Sequence, residues 1–119
     1  MIIRRVVPNV TTDRIDESLE FYTSLLGFQV AMDMDWIVTL ASPDNSTAQI
    51  SLVREDEVVP RNGNLQLTIE VGDVDAIHAE AQSRGYRIDY PLTDEPWGIR
   101  RFHVRDPNGV VINVMSHIN

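Results

Sequence analysis

Two residue types are missing from this chain of 119 residues: it has no cysteine, and all ten of its basic residues are arginines. Without cysteine the chain has no disulfides, thiolate nucleophiles, iron–sulfur clusters or cysteine zinc sites. Without lysine it has no lysine Schiff base and no phosphate-binding loop of the Gly-Lys-Ser/Thr type. Several large classes of enzyme are therefore excluded.

Long apolar runs and net positive charge are absent too. No run of about eighteen apolar residues occurs, and the first residues lack the apolar segment of a signal peptide, so we expect a cytoplasmic protein with no membrane partner. The net charge of -8 disfavours a nucleic-acid partner, because phosphate binding requires a basic surface. The same acidity favours a cationic ligand at long range, although a solubilising role is the simpler interpretation.

A weak internal repeat organises the chain. Leu26-Gly27-Phe28 and Arg84-Gly85-Tyr86 each follow an amphipathic helical pattern and precede a strand-like run. Glycine just past a helix end adopts the left-handed conformation that a Cβ atom disfavours. The two glycines are about half the chain apart, so the sequence predicts two similar modules, about residues 1–56 and 64–119, in one domain of residues 1–119.

The first half predicts a strand, a helix and three further strands. Pro8 has no backbone N–H, so the first strand should lie at a sheet edge or pair on one side only at that residue. Asp13 is a suitable N-cap for the helix. The predicted elements are a strand over Arg5–Thr11, a helix over Ile15–Leu26, and strands over Phe28–Asp33, Trp36–Ala41 and Gln49–Arg54, with residues 55–64 as the connector.

The second half has clearer patterns. Apolar and polar residues alternate from Leu65 to Val71, which is typical of a half-buried strand, and Asp73 is a suitable N-cap. Asp106-Pro107-Asn108-Gly109 fits a type I turn. The predicted elements are a strand over Leu65–Val71, a helix ending near Arg84, a short strand over Tyr86–Asp89, a loop over Pro91–Pro96, and strands over Ile99–Arg105 and Val110–Met115.

Strand alternation predicts one apolar and one polar sheet face in each half. A polar face on an antiparallel sheet is often simply solvated, but a concave surface with convergent polar groups is a default ligand site. The predicted apolar face consists of Val10, Ile50, Leu52, Leu65, Leu67, Ile69, Phe102, Val104, Ile112 and Val114. The predicted polar face consists of Asn9, Thr11, Gln49, Ser51, Gln66, Thr68, Glu70, Arg101, His103 and Asn113.

Four motifs in this order resemble the vicinal-oxygen-chelate superfamily: Phe21-Tyr22, Leu26-Gly27-Phe28, Glu95-Pro96-Trp97-Gly98 and Asp106-Pro107-Asn108-Gly109. That superfamily contains glyoxalase I, extradiol dioxygenases, fosfomycin-resistance enzymes and bleomycin-resistance proteins. The opening Val6–Thr11 and the Trp97-Gly98 pair are most similar to the bleomycin-resistance branch. The resemblance implies an α+β fold in which two βαβββ modules form a curved, mixed and antiparallel cup with helices on its outer face.

The resemblance also implies positions for a divalent metal. In the enzymes of the superfamily the cup holds the metal on His, Gln and Glu side chains. The matching positions here are Val7, Ser51, Gln66 and Asn113, which offer neither a carboxylate nor an imidazole. Divalent metals need such donors to offset their lost hydration, so we expect no metal site and no cofactor.

Of the three histidines, His103 is the candidate for chemistry. It lies on the predicted polar face, where it is either satisfied by its neighbours or acts as a ligand contact or general base. Glu70 on the same face is its candidate acid/base partner. We expect His78 to face solvent and His117 to lie in a frayed terminus.

The aromatic residues divide into core and candidate ligand contacts. The position of Trp97 is equally consistent with stacking on a flat ligand ring and with packing in the core at the end of its module, whereas Trp36 is more consistent with the core. Phe21, Tyr22 and Phe28 are expected in the core. Adaptable apolar lining is offered by Met32, Met34 and Met115, and an acidic rim by Asp33, Asp35, Glu55, Asp56 and Glu57.

Three functions remain open from the sequence. The favoured one is a bleomycin-resistance-type homodimer, in keeping with antibiotic resistance, that sequesters a flat or cationic small molecule without metal. The others are a lyase, isomerase or dioxygenase using a displaced metal site or the Glu70–His103 pair, and a regulatory protein whose cup binds nothing strongly. The predicted ligand-binding residues are Asn9, Gln49, Ser51, Gln66, Thr68, Trp97, Arg101, His103, Asn113 and Met115.

Overall fold

The computed structural model describes residues 2–56 and 61–118, so Glu57 of the expected acidic rim and Pro60 of the expected connector lie outside the described residues. The chain divides into two compact units, Met1–Asn62 and Gly63–Asn119. Each unit has a four-stranded mixed sheet, and its elements follow the order strand, helix and three strands. The expected α+β class with two βαβββ modules is confirmed.

The first unit contains the strands β1 (Asn9–Thr12), β2 (Gln29–Asp33), β3 (Ile37–Ala41) and β4 (Gln49–Arg54). Their order in the sheet is β1-β4-β3-β2, with β1 parallel to β4 and the other neighbours antiparallel. Its helix α1 (Ile15–Leu19) continues into a π-helical segment, Glu20–Leu25.

The second unit repeats this arrangement. Its strands are β5 (Gln66–Glu70), β6 (Ile88–Asp94), β7 (Ile99–Arg105) and β8 (Val111–His117), and its helix is α2 (Val74–Ser83). The sheet order is β5-β8-β7-β6, with β5 parallel to β8. Among the helices that the structure describes, none is long and apolar enough to cross a membrane.

The start of α1 differs from the sequence prediction. The residue at the N-cap is Arg14, and it makes no side-chain capping bond, so the prediction of Asp13 as the cap is wrong. Thr12 takes over part of this role, because its Oγ1 accepts a hydrogen bond from the Arg14 N–H at 3.0 Å and lies 3.0 Å from the Ser18 hydroxyl. The hydroxyl of Thr12 thus ties the end of β1 to the first turn of the helix.

The π-helical segment was not predicted. The Leu26 N–H donates to the Phe21 carbonyl at 3.3 Å, five residues back, and Gly27 then ends the helix with a φ of 85°. The wider turn leaves Phe21, Tyr22 and Leu25 buried on one side. An apolar stripe has almost the same spacing in an α-helix and in a single π turn, so the pattern could not separate the two.

The helix α2 follows its prediction closely. The Asp73 carboxylate accepts a hydrogen bond from the Ala76 N–H at 3.1 Å, as an N-cap should. Val74 and Ala81 are buried. The expectation that His78 faces solvent is wrong, because its ring packs edge-on against Phe102 with the centroids 4.9 Å apart.

The edge position of β1 is confirmed, although the strand begins at Asn9, after Pro8, rather than at Arg5. A side chain pairs with this edge. The Asn62 amide accepts from the Thr11 N–H at 2.7 Å and donates to the Thr11 carbonyl at 2.9 Å. Because an open strand edge leaves unpaired backbone groups, Asn62 supplies the two bonds that another strand would make.

Two turns of the same sequence pattern flank β7. In Glu95-Pro96-Trp97-Gly98 and in Asp106-Pro107-Asn108-Gly109, the glycine N–H donates to the first carbonyl at 3.1 Å. Both glycines have positive φ, 91° and 83°. Proline supplies the φ needed at the second position and glycine tolerates the left-handed fourth position, so the sequence sets both ends of the strand.

The strand β6 is longer than predicted. It runs to Asp94 and includes Pro91, so the prediction of a loop over Pro91–Pro96 is wrong. The register with β7 shifts between Tyr90 and Thr93. A proline is tolerated there because β6 is the edge strand and its missing N–H leaves no partner unbonded.

The predicted alternation of faces holds for β5 and β7 of the second unit, whereas β1, β3 and β4 of the first unit are buried on both faces. Residues that face each other across neighbouring strands share a face, and the apolar rows contain the most buried side chains. Thr11 and Ser51, expected on the polar face, are buried as well. The side chains that form the core are Val10, Phe21, Tyr22, Leu40, Ile50 and Leu52 in the first unit, and Phe102, Val104, Ile112 and Val114 in the second.

The turn after β7 provides a test of this local structure. Asp106 is 4% exposed, and its Oδ1 accepts from the Asn108 N–H at 2.8 Å and the Val110 N–H at 2.9 Å. We expect Asp106→Ala to lower the free energy of unfolding by about 2 to 3 kcal/mol, since two backbone donors lose a charged acceptor. Urea denaturation measures this. Asp44→Ala, in an exposed turn, is the control and should change it by less than about 0.5 kcal/mol; equal losses would contradict the role of Asp106.

Candidate functional site

The candidate site lies on the polar face of the second sheet, formed by Gln66, Thr68, Glu70, Arg101, His103 and Asn113. Strand register places these side chains in rows. Thr68, Asn113 and His103 face one another across β5, β8 and β7. In the next row Glu70 and Arg101 flank Met115. The predicted polar residues of the second half therefore share one surface.

Several neighbouring side chains fix Arg101 on this face. Its guanidinium carbon lies 5.2 Å from the centroid of the Tyr90 ring and 5.2 Å from that of Trp97. Both distances are within the range of cation–π attraction. Its Nη2 also lies 2.8 Å from the Glu95 carboxylate, which is 9% exposed. The Tyr90 hydroxyl donates to the same carboxylate at 3.2 Å, so the two aromatic rings and Glu95 fix Arg101.

The two tryptophans are exposed. Trp97, at the third position of the turn before β7, is 62% exposed, so the alternative that it plugs the core is wrong. Trp36 is 57% exposed and precedes β3, so its predicted core position is also wrong. Arg101 contacts Trp97, and the exposure of the indole leaves much of its apolar surface open to a flat ring.

His103 is partly buried beside this cluster. Its ring lies 5.0 Å from the Tyr90 ring, at an interplanar angle of 38°. Burial and, to a smaller extent, the positive charge of Arg101 lower the pKa of His103 below its usual value. The imidazole is therefore neutral at neutral pH, with one ring nitrogen as a donor and the other as an acceptor.

Three polar atoms of this face are buried and make no hydrogen bond to any residue that the structure describes: Arg101 Nε, His103 Nε2 and Asn113 Oδ1. The remaining end of the Asn113 amide donates to the Thr68 hydroxyl at 3.3 Å. Buried polar atoms in native proteins almost always have a partner, and an exception calls for an explanation. All three exceptions belong to predicted ligand-binding residues.

The expected Glu70–His103 pair does not form. Glu70 instead pairs with His117, whose Nδ1 lies 2.7 Å from the carboxylate. His117 is the last residue of β8, so the prediction that it frays is wrong. Glu70 and His103 lie on β5 and β7 with β8 between them, which is about 9.5 Å across the sheet and too far for a hydrogen bond.

The predicted site residues of the first unit are held by their own neighbours. The Ser51 hydroxyl lies 2.7 Å from that of Thr39. The Gln49 amide nitrogen donates to the Ser46 carbonyl at 2.8 Å, and its oxygen accepts from Arg5. Asn9 is exposed at the start of β1. The structure thus brings no cluster of unsatisfied groups to these three residues.

The remaining residues predicted to contact a ligand or form the acidic rim differ in burial. Met115 is buried in the row of Arg101, whereas Met32 and Met34 are exposed in the first unit. Gln66 is exposed at the start of β5. The acidic rim residues Asp33, Asp35 and Asp56 are exposed, and Glu55 is half-buried and pairs with Arg61 at 2.6 Å.

Tyr90 and Glu95 are parts of the site that the sequence prediction missed. Tyr90 lies in the part of β6 next to the predicted loop, and Glu95 was noted only as part of a family motif. A signal was present: Glu95-Pro96-Trp97-Gly98 has the same turn pattern as Asp106-Pro107-Asn108-Gly109. Treating it as a hairpin turn would have extended β6 and paired it with the strand that carries Arg101.

The residues at the metal positions of the resembled enzymes do not fit a divalent metal. Val7 offers only an alkyl group, and the Ser51 hydroxyl is bonded to Thr39. Gln66 and Asn113 offer neutral amides, which are poor substitutes for carboxylate and imidazole. Across residues 2–56 and 61–118, no group of three or more His, Cys, Asp or Glu side chains is placed to hold a metal ion. We therefore derive no chemical step through a metal.

Comparison with known proteins identifies the family. The model of the Glyoxalase/Bleomycin resistance protein/Dioxygenase superfamily matches residues 3–114. The chain belongs to this superfamily. The match spans nearly the whole chain and agrees with the βαβββ order of both units. A search of curated proteins found no significant match.

Solved structures share the fold of this superfamily member. TnmS3, described as an antibiotic binding protein from Streptomyces sp. CB03234, is 27% identical, with a TM-score of 0.76 over 98% of this chain and 97% of that one. TioX from Micromonospora sp. ML1 is 22% identical, with a TM-score of 0.76 over 97% of each chain. A superfamily member from Sphaerobacter thermophilus DSM 20745 is 21% identical, with a TM-score of 0.80 over 98% and 99%.

The lowered pKa of His103 predicts a dependence of stability on pH. The folded protein holds this proton less tightly than the unfolded chain does, so the stabilising effect of the neutral imidazole is present above the unfolded pKa and is lost as pH falls below it. We expect His103→Gln to flatten the fall in unfolding free energy between about pH 7.5 and pH 5, as measured by urea denaturation. Above about pH 7.5 the two curves should run parallel; identical slopes throughout would contradict the assignment.

Proposed function

We propose that this protein binds a flat aromatic small molecule without metal and acts by sequestration, as expected for a bleomycin-resistance-type protein. The observation that carries the proposal is the exposed indole of Trp97, whose ring centroid lies 5.2 Å from the guanidinium carbon of Arg101 on the polar face. Ligand sites combine apolar or aromatic surface with a few polar groups that fix orientation. The polar face of the second sheet has both components.

The relationship to TnmS3 supports a ligand of antibiotic type. That protein is described as antibiotic binding and matches this chain over almost its full length at 27% identity. The metal positions add to the argument, since enzymes of the superfamily depend on donors that this chain does not have at the matching positions. Without a fitting metal site, and with Glu70 paired to His117 rather than to His103, binding accounts for the arrangement better than turnover.

Trp97 provides the direct test of this proposal. We expect Trp97→Ala to weaken the binding of planar aromatic compounds such as flavone or proflavine about tenfold, because the stacking surface is lost. Isothermal titration measures the dissociation constants. Added chelator should not change them, since the proposed binding needs no metal.

Trp97→Phe is the matched control, because it keeps an aromatic ring at the same turn position. This variant should retain most of the affinity, whereas Trp97→Ala should not. If no planar compound binds the wild-type protein, or if the Phe and Ala variants bind equally, the proposed function is wrong.

We also propose that the protein is a homodimer that associates through the first unit. The strand β2 is an edge strand, and all five of its residues are exposed. Val30, Met32 and Met34 are large apolar side chains exposed on or beside it. Clustered exposed apolar residues at a free strand edge are typical of an association surface.

Light scattering tests the dimer. The wild-type protein should show twice the mass of one chain, and Met32→Glu should shift it towards the monomer by placing a charge in an apolar interface. Asp44→Glu, which keeps the charge of an exposed turn, is the control and should leave the mass unchanged. A monomeric wild-type protein would contradict this part of the proposal.

A further inference from the structure

The turn that carries Trp97 joins β6 to β7 and is closed by backbone hydrogen bonds. The Glu95 N–H donates to the Ile99 carbonyl at 2.7 Å, and the Gly98 N–H donates to the Glu95 carbonyl at 3.1 Å. The turn is also attached to the end of β8, because the Ile118 N–H donates to the Gly98 carbonyl at 2.8 Å. These bonds define the backbone of the turn, and side chains on β6 and β7 hold the turn against the rest of the unit.

Arg100 links this turn to the helix of the same unit. It is the second residue of β7, and its register partner on β6 is Asp94, so the two residues flank the turn. The Arg100 Nη1 donates to the Asp94 carboxylate at 2.8 Å. The other two nitrogens reach Asp75 in the first turn of α2, with Nη2 2.9 Å and Nε 3.2 Å from its Oδ1. All three guanidinium nitrogens of Arg100 therefore bind carboxylates.

This network differs from an ordinary ion pair on a protein surface. A single exposed pair contributes little to stability, whereas a guanidinium that binds a carboxylate through two nitrogens within a larger network has a defined geometry. The hydrogen bond from Arg100 holds the pKa of the Asp75 carboxyl below its usual value. Both partners are therefore charged at neutral pH, and the network connects the turn to α2.

Arg100 lies on the side of the sheet opposite the candidate site. Successive side chains alternate across a strand, and Arg101 makes the contact with Trp97 on the polar face. Arg100 instead reaches α2, whose His78 packs on Phe102 of the same strand. A ligand on the polar face therefore does not touch Arg100, and any effect of this residue on binding must act through the position of the turn.

We propose that Arg100 is a positioning residue, which holds the turn so that the indole of Trp97 keeps one orientation for stacking on a planar ligand. The Arg100 network and the Arg101 contact hold the turn from the two faces of the sheet. A side chain that is already ordered loses less conformational freedom on binding. This inference rests on the proposed function and adds to it a residue that the ligand does not contact.

Fluorescence anisotropy and ligand affinity together test this role. In a Trp36→Phe background Trp97 is the only tryptophan, so the anisotropy decay without ligand reports the motion of this indole. We expect Arg100→Gln to lower the residual anisotropy. The same variant should weaken binding of flavone or proflavine, whichever binds the wild-type protein more tightly, about fivefold in isothermal titration, because a mobile indole must be ordered on binding.

Arg84→Gln is the matched control. Arg84 is the C-cap of α2 and pairs with Glu80 at 2.6 Å, and its side chain is 33% exposed, as is that of Arg100. Loss of a surface arginine on α2 should by itself leave anisotropy and affinity unchanged. Asp75→Asn removes the helix end of the network and should give part of both effects. Adding Asp75→Asn to Arg100→Gln should then change little further, since the two residues share one interaction.

The outcomes distinguish the positioning role from the stacking function. If Arg100→Gln leaves either the anisotropy or the affinity unchanged, or if Arg84→Gln lowers both as much, the positioning role is wrong while stacking on Trp97 stands. Thermal unfolding shows whether each variant is folded, and Asp75→Asn, on the exposed surface of α2, decides the question where Arg100→Gln does not fold. If neither flavone nor proflavine binds the wild-type protein, the proposed function is wrong and this inference with it.

Discussion

The register of β7 is the constraint on which the candidate site depends. This strand carries Arg101 and His103, and the turn before it carries Trp97. Side chains alternate across a strand, so a slip of one residue would turn both polar side chains into the apolar core. The two turns with proline at the second and glycine at the fourth position prevent this, because each fixes one end of β7 through local backbone geometry.

The stack around Arg101 follows from that register. A partly buried guanidinium is costly unless its charge is paired and its hydrogens are bonded. Glu95 supplies the charge, and the rings of Tyr90 and Trp97 supply cation–π contacts. These groups leave Nε without a partner. The side chain of Arg101 is therefore fixed in position by one carboxylate and two aromatic rings.

Local signals in the sequence were enough to predict much of the fold. The bounds of β4 and β7 agree with the prediction, and Asp73 caps α2 as expected. Each of these depends on residues close together in the chain: an alternation, a proline and glycine turn, or an N-cap side chain. The two-module organisation followed from Gly27 and Gly85, which both have positive φ.

The features that were predicted wrongly depend on tertiary contacts. Arg14 rather than Asp13 occupies the N-cap of α1, and the Thr12 hydroxyl contacts the first turn instead, through the Arg14 N–H and the Ser18 hydroxyl. Proline usually ends a strand, but Pro91 is tolerated because β6 lies at the edge of its sheet. Glu70 bonds to His117 because β5 and β8 are neighbours, which no spacing along the chain reveals. The residues of the polar face of the second sheet were predicted one by one from strand alternation. Tyr90 and Glu95, which contact Arg101 on that face, were not.

The acidity of the chain and a locally neutral site are compatible. A net charge of -8 acts over long distances, where it changes the rate at which charged molecules approach more than the specificity with which they bind. Specificity is set within a few ångströms, where unpaired buried atoms penalise any ligand that leaves them unsatisfied. In this chain those atoms belong to a neutralised arginine, a neutral histidine and an amide, so the acidity of the whole chain and the neutrality of this face are set by different residues.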